Sequence, residues 1–322
     1  MTSKPLAMRD AFLTRLLGRM DSDPSLFLVT ADFGSPVIDA IRSRHGSRFI
    51  NVGIAEQGLI NVSAGLALEG FNVFAYAIAP FITMRCFEQT RVNLCLLSQV
   101  RPMSVSLVGV GAGYSYVVSG PTHQCYEDIS IMRTLPNVRV LSPSDHVSAG
   151  DLFELCHEPG IRYLRLDAQV LPVLAEGHLD GTGLRRLHGE AGRVALVSTG
   201  FMSHTAIAVA RGLEERGISC TVDDLWDLSR FDQDHLAAHL RDRDVIVSLE
   251  EGFTGRGGLD AVMQGLLRER AIASPYLPMG VPPAYGFELG SRAELHREAG
   301  LDDESCIRAI VSAVMEKTGA TR

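Results

Sequence analysis

The sequence lacks the features that mark membrane-spanning, nucleic-acid-binding and disulfide-stapled proteins. No uninterrupted apolar run reaches the ~18 residues that a membrane helix needs, and the N-terminus shows no continuous apolar core or small-residue cleavage site. The 30 Lys and Arg and 38 Asp and Glu are mixed along the chain, for a net charge of −8. Without a basic face, neither nucleic acid nor a membrane surface is an expected partner.

Cysteine is scarce, and its positions form no recognisable motif. None of the six cysteines stands in a C-x-x-C pair. A chain of 322 residues, 46% of them hydrophobic, can bury two cores without disulfides. We therefore expect reduced, mostly buried thiols in a soluble cytoplasmic protein; the six are Cys86, Cys95, Cys125, Cys156, Cys220 and Cys306.

Short apolar runs alternate with helical patterns, which predicts an α/β fold of two doubly wound domains. In the first half we expect strands at 26–32, 48–52, 71–78, 105–109, 138–141 and 161–166. In the second half we expect strands at 194–198, 221–225, 245–249 and 275–279. The alternation is lost in between, which predicts a first domain, a linker and a smaller second domain at 1–170, 171–192 and 193–322.

One apolar strand ends in a small-residue turn that leads Glu56 into a helix start, in the stretch RFINVGIAEQG. Its neighbours Gly53, Ala55 and Gly58 offer little bulk, so a flat ligand could lie against it. A carboxylate in apolar surroundings should have a raised pKa, which suits proton exchange with a heterocycle nitrogen. A solvated glutamate stabilised by the helix dipole explains the same pattern, and both interpretations stay open at this point.

Three further polar residues stand close to predicted strands. His123 ends a glycine-rich loop, where it could exchange protons near neutral pH or simply cap the next helix. Asp32 closes a strand and either faces a pocket or caps the segment that follows. Arg165 either clamps a phosphate or carboxylate or pairs with Asp167.

In combination, these stretches are more specific than any one of them. The chain resembles the pyrimidine-binding domain of transketolases and of deoxyxylulose-phosphate synthases in RFINVGIAEQG, FEQTR, GPTHQCYEDISIMRTLPNVRVLSPSD and RYLRLD. It resembles their C-terminal domain in ALVSTGFMSHTAIAVARGLEERGI, SLEEGFTGRGGL and GSRAELHREAGLDDESCI. The resemblance covers essentially the whole chain. It implies a transferase that moves a two-carbon ketol unit from a ketose (phosphate) to an aldose through a thiamine-diphosphate carbanion.

The resemblance implies a role for each candidate residue. Glu56 matches the glutamate that hydrogen-bonds pyrimidine N1′ of thiamine diphosphate, which promotes the imino tautomer whose 4′-nitrogen deprotonates the thiazolium C2. His123 would hold sugar hydroxyls and shuttle protons. Arg165 would bind a substrate phosphate, and Asp32 would lie near the cofactor.

The sequence departs from full-length transketolases at two places around the site. The family stacks an aromatic residue on the pyrimidine; Phe81 is the best placed here, although by default it is a core aromatic, and Ile78 occupies one aligned aromatic position. The loop GVGAGYSYVVS replaces a shorter loop that contains a histidine, so one substrate histidine has no counterpart. Substrate choice is therefore expected to differ from that of the pentose-phosphate enzyme.

The chain contains no Gly-Asp-Gly motif followed by asparagine, with which the family binds Mg²⁺ and the diphosphate. The resemblance therefore implies the smaller subunit of a split transketolase that cannot hold the cofactor by itself. An N-terminal transketolase subunit would supply the diphosphate and Mg²⁺ ligands in an α2β2 assembly, and we expect no metal ligands in this chain.

Other functions fit the same pattern less well. The β subunit of a 2-oxoacid or acetoin dehydrogenase E1 component has the same length and domains, but GPTHQ and HREAGLD favour transketolase. A deoxyxylulose-phosphate synthase is normally one long chain. A non-catalytic structural or regulatory subunit would have no physical need to keep both Glu56 and His123.

Overall fold

Six short apolar strands form the first sheet. The computed structural model describes residues 6–175 and 177–319; residues 1–5 and 320–322 of the predicted domains and Glu176 of the predicted linker lie outside the described residues. The strands are β1 (Leu26–Thr30), β2 (Phe49–Asn51), β3 (Asn72–Ile78), β4 (Ser104–Val110), β5 (Val138–Leu141) and β6 (Gly160–Leu166). They are all parallel, in the order β2-β1-β3-β4-β6-β5. Their continuous apolar runs suit a sheet that is covered by helices on both faces.

The helices of this domain begin where the sequence supplies caps or apolar periodicity. They are α1 (Met8–Met20), α2 (Pro36–Arg44), α3 (Glu56–Leu68), α4 (Phe87–Gln89), α5 (Asp128–Arg133) and α6 (His146–Leu155). Asp145 caps α6 by accepting a 2.8 Å bond from the backbone N–H of Ser148. The apolar pattern does not predict α2, which Ser35 caps with Pro36 as its first residue.

The segment between β3 and β4 is not a single regular helix. Two π-helical turns, Phe81–Arg85 and Thr90–Leu96, flank the short α4, and a 3₁₀ turn follows at Leu97–Gln99. Inside the first π turn the Thr83 hydroxyl donates to the carbonyl of Ala79 at 2.7 Å. A π turn holds an extra residue and therefore changes the direction of the side chains around it.

The second sheet has five strands in the order β11-β10-β8-β9-β7. These are β7 (Leu184–His188), β8 (Val194–Ser198), β9 (Cys220–Leu225), β10 (Val245–Phe253) and β11 (Tyr276–Val281). The helices are α7 (Met202–Glu214), α8 (Gln233–Leu240), α9 (Leu259–Glu269), α10 (Arg292–Ala299) and α11 (Asp303–Gly319). The α/β prediction is confirmed. The linker prediction 171–192 is wrong for β7, which pairs antiparallel with β9 at the sheet edge.

A buried ionic cluster joins the two domains around Glu251 of β10. Arg292 Nε donates to the Glu251 carboxylate at 2.8 Å, and His296 also contacts it. The backbone N–H of Tyr114, in the loop after β4, donates to the same carboxylate at 3.2 Å. Despite its burial, Glu251 keeps a pKa well below the usual range, chiefly because of the Arg292 charge.

The cysteines of the described residues agree with the expectation from the sequence. All six cysteines are free and buried, as predicted. Within 6–175 and 177–319, no helix combines the length and the apolar character needed to cross a bilayer.

Asp224 of β9 should give the stability of the protein a distinctive pH dependence. Ser144 and Ser203 donate to its buried carboxylate at 2.7 and 2.8 Å, and burial raises its pKa to about 6. Between pH ~4 and ~6 the native state therefore holds a proton that the unfolded state has lost, so the free energy of unfolding falls as pH rises, by about 2–3 kcal/mol in total.

We predict that Asp224→Asn, which cannot titrate, gains stability relative to wild type as pH rises through this window. Urea unfolding between pH 4.5 and 7.5 measures the difference. The exposed Asp39→Asn is the control and should run parallel to wild type. If the stability of Asp224→Asn changed with pH in parallel with that of wild type, the raised pKa of Asp224 would be contradicted.

Candidate active site

The carboxyl ends of β1, β2 and β3 carry four of the six predicted site residues. The chain leaves β1 for β2 on one side and returns to β3 on the other, and such a reversal opens a crevice at the carboxyl edge of a parallel sheet. Ile78 is the last residue of β3, and Phe81 begins the π turn beyond it. Asp32 follows β1, and Glu56 opens α3 after β2.

Glu56 is buried in this crevice with only 2% of its surface exposed. Its position at the first turn of α3 lets the helix N-terminus stabilise its negative charge. Arg85 Nη1 donates to Oε1 at 2.8 Å and to Oε2 at 2.9 Å. The prediction that Glu56 has apolar surroundings is therefore wrong, because the Arg85 guanidinium lies directly against its carboxylate.

A continuous set of contacts connects Glu56 to His123. The guanidinium carbon of Arg85 lies 4.1 Å from the centroid of the Phe81 ring. The Phe81 ring meets the His123 ring edge-on, with 5.3 Å between centroids. The structure thus brings Glu56, Phe81 and His123 together, around an arginine that sequence reasoning missed. The pattern F-x-x-x-R after a strand is visible in the sequence, but only the structure shows that the Arg85 guanidinium contacts both the Phe81 ring and Glu56.

His123 is half-buried and follows a short 3₁₀ turn, Gly120–Thr122. The Thr122 hydroxyl lies 3.3 Å from the Ser119 carbonyl, to which it donates, and 2.9 Å from His123 Nδ1. Thr122 therefore holds the ring through Nδ1, whichever of the two groups donates. His123 does not cap α5, which starts at Asp128.

Asp32 is exposed and adopts a left-handed backbone conformation, with φ of 49°. Its carboxylate and the Asn51 amide are 3.1 Å apart, and its own backbone N–H donates to Asn51 at 3.1 Å. Asp is among the residues that tolerate this conformation best, and strained backbone of this kind is common at ligand sites. The alternative capping role belongs to Ser35, which accepts from the backbone N–H of Ile38.

Arg165 does not line the crevice. Its side chain is 2% exposed; Nε donates to Asp128 at 2.8 Å, and Nη2 donates to the carbonyl of Glu251 at 2.8 Å. Its expected partner Asp167 pairs with Arg292 instead, at 2.7 Å. The structure therefore does not support phosphate binding by Arg165, because its side chain is buried and two of its three nitrogens are held by other residues.

Large apolar side chains stand exposed on the loops that carry the site. Ile54, just before Glu56, is 76% exposed, and Val118, in the loop before His123, is 74% exposed. Phe287 and Leu289 are 81% and 59% exposed, and Leu289 lies close to Gly120. Exposed apolar side chains around a site often mark a surface that another chain covers.

Acidic and metal-ligating side chains do not gather in this crevice. In the ranges 6–175 and 177–319, no group of three or more His, Cys, Asp or Glu side chains is placed to hold a metal ion.

Two family models match the chain. The one described as transketolase, pyrimidine binding domain, matches residues 4–172, and the one described as transketolase, C-terminal domain, matches residues 184–306. A subunit of the apulose-4-phosphate transketolase of Actinobacillus succinogenes is 27% identical over 309 residues, which cover 95% of this chain and 97% of that protein.

The chain is also similar in structure to solved transketolases. A split-gene transketolase described as an inactive beta4 tetramer is 27% identical with a TM-score of 0.84, covering 98% of this chain and 100% of the other. A transketolase mutant from Pichia stipitis shares the fold at 19% identity and a TM-score of 0.81. This chain covers 47% of that protein, so it spans about half of its length.

The structural role of Arg165 predicts a large effect of removing its counter-ion. Asp128→Asn leaves a buried guanidinium without a negative partner, so the free energy of unfolding should fall by about 3–5 kcal/mol. Chemical unfolding checks this, with the exposed Asp39→Asn as control. A loss below about 1 kcal/mol would mean that the guanidinium reaches solvent, and would reopen a role in binding substrate.

Proposed function

The chain belongs to the transketolase family, and from that premise we propose that it is the pyrimidine-binding subunit of a split, thiamine-diphosphate-dependent transketolase. The observation that carries the proposal is the arrangement of Glu56, Phe81 and His123 in one crevice at the switch point of the first sheet. The relatives that match along their full length are split-transketolase subunits, which supports a divided enzyme.

We propose that the crevice holds the pyrimidine half of thiamine diphosphate. Glu56 offers a buried carboxylate that can accept from a ring nitrogen, and Phe81 offers a half-buried aromatic face on which a flat ring can stack. Ile78 would close the sheet side of the ring, and Asp32 would lie at the edge of the site. When bound, the cofactor supplies a carbon nucleophile that carries a two-carbon ketol unit from a ketose to an aldose.

Each residue of this chain then has a defined task. Glu56 shares a proton with N1′ of the pyrimidine, and the buried position excludes water that would otherwise compete for that proton. Phe81 fixes the plane of the ring. His123 would face the reacting sugar, where its imidazole would accept a hydroxyl proton and return it during transfer.

We further propose that an N-terminal transketolase subunit completes the site in an α2β2 assembly. That subunit would carry the Gly-Asp-Gly motif and the ligands for Mg²⁺ and the diphosphate. It would cover the exposed Ile54 and Val118, which lie on the loops that lead to Glu56 and His123, and Leu289, which lies close to Gly120. We place the enzyme in the cytoplasm, in keeping with six unpaired cysteines.

Reconstitution tests the divided enzyme. We expect the purified chain alone to bind thiamine diphosphate poorly and to show no ketol transfer. Mixing it with the N-terminal subunit and Mg²⁺ should produce cofactor binding and ketol transfer. Calorimetric titration measures the binding, and an assay over a panel of sugar phosphates measures the transfer. Full activity of the lone chain would disprove the split architecture.

The role of Glu56 is testable before any sugar reacts. Glu56→Gln should still assemble with the partner but should slow exchange of the cofactor C2 proton by about 10²–10⁴-fold, because an amide cannot share the proton at N1′. NMR after quenching in D₂O measures the exchange. Glu69→Gln, at the other end of α3, is the matched control. Exchange at the wild-type rate in Glu56→Gln would show that the proposed role is wrong.

A further inference from the structure

Arg85 already engages the two groups that the proposed function assigns to the pyrimidine. Both carboxylate oxygens of Glu56 accept from its Nη1, at 2.8 and 2.9 Å. The guanidinium carbon also lies 4.1 Å from the centre of the Phe81 ring. One side chain thus takes up both the buried carboxylate and the aromatic face that we assign to the cofactor.

A guanidinium is a close chemical match for an aminopyrimidine. It is flat, it donates N–H bonds to a carboxylate, and it stacks on aromatic rings. A carboxylate has lone pairs for several donors, so the two hydrogen bonds from Nη1 alone would not exclude a ring nitrogen. The guanidinium also lies 4.1 Å from the centre of the Phe81 ring, however, where a stacked pyrimidine would lie. The two occupants therefore compete for the space between Glu56 and Phe81.

The position of Arg85 allows it to leave. Its side chain is 44% exposed, and among the described residues Glu56 alone accepts hydrogen bonds from its guanidinium. Arg165, by contrast, is 2% exposed and is held by Asp128 and a backbone carbonyl. Arg85 also ends the π turn Phe81–Arg85, so it stands at a boundary between helical segments rather than in a packed helix interior.

We propose that Arg85 is a resident occupant of the pyrimidine site, which thiamine diphosphate must displace, and that Arg85 thereby sets the cofactor affinity of the assembled enzyme. This inference rests on the proposed function. In the cofactor-free subunit Arg85 neutralises the buried Glu56 and covers Phe81, which stabilises the open crevice. On binding, the pyrimidine takes over both contacts and the guanidinium moves to solvent.

The test is the dissociation constant of thiamine diphosphate for the chain assembled with its N-terminal partner subunit. Suppose that, without cofactor, the form in which Arg85 contacts Glu56 is about tenfold more populated than the form in which the site is free. Arg85→Gln should then lower the dissociation constant of the cofactor about tenfold. Arg85→Lys keeps a positive charge near Glu56 but loses the planar fork, so it should give a smaller gain. Arg91→Gln is the matched control, since Arg91 is an exposed arginine of the same segment that pairs with Glu88; it should leave the constant unchanged.

Thermal unfolding supplies a second readout. Without cofactor, Arg85→Gln should unfold at a lower temperature than wild type, because Glu56 is left buried and unpaired. Saturating cofactor should close that gap, since the bound state no longer uses Arg85. If Arg85→Gln cannot be purified folded, the Arg85→Lys complex provides both measurements.

The outcomes separate this inference from the proposed function. Unchanged or weaker binding by both Arg85 variants, beside normal binding by wild type, overturns the inference and leaves the function standing. Absence of binding in wild type and in every variant overturns the function itself. Tighter binding by the variants, including binding that appears only in them, supports the inference.

Discussion

The buried carboxylate of Glu251 is the interaction on which the arrangement of the site depends. It lies on β10 of the second domain, yet it accepts from the Tyr114 backbone in the first domain and from Arg292 and His296 on α10. A charge with 1% exposure is tolerated only with such partners. The cluster therefore attaches the start of the loop that ends at His123 to the second domain.

The remaining half of the crevice is fixed by the first sheet alone. Parallel strands with divergent connections bring Glu56 and Phe81 to one edge, and the π turn places the Arg85 guanidinium against both the Glu56 carboxylate and the Phe81 ring. Two independent sets of constraints, one within a sheet and one between domains, therefore meet at the contact of Phe81 with His123. Because both sets of constraints are needed to place Phe81 beside His123, there is a physical reason for the two domains to share one chain even when the enzyme is divided into subunits.

Much of the fold followed from apolar runs, since a strand such as Val194–Ser198 is buried on both faces and carries its signal locally. The strand β7 was missed because it is polar and lies at a sheet edge, where pairing with β9 outweighs propensity. At the site, the motif around Glu56 was readable. Arg85 was not, because its partner lies on another helix and the π turn has no clear sequence signature. For Arg165, burial against Asp128 could not be read from the sequence.

Gly113 lies directly beside the buried carboxylate of Glu251. Its φ is +55°, and a β-carbon there would stand 2.0 Å from a carboxylate oxygen of Glu251. That carboxylate is held from three sides and has no room to yield. A side chain at position 113 would therefore have to displace Glu251 from the partners that join the two domains. Gly113 thus limits how bulky the first-domain loop can be where it meets β10.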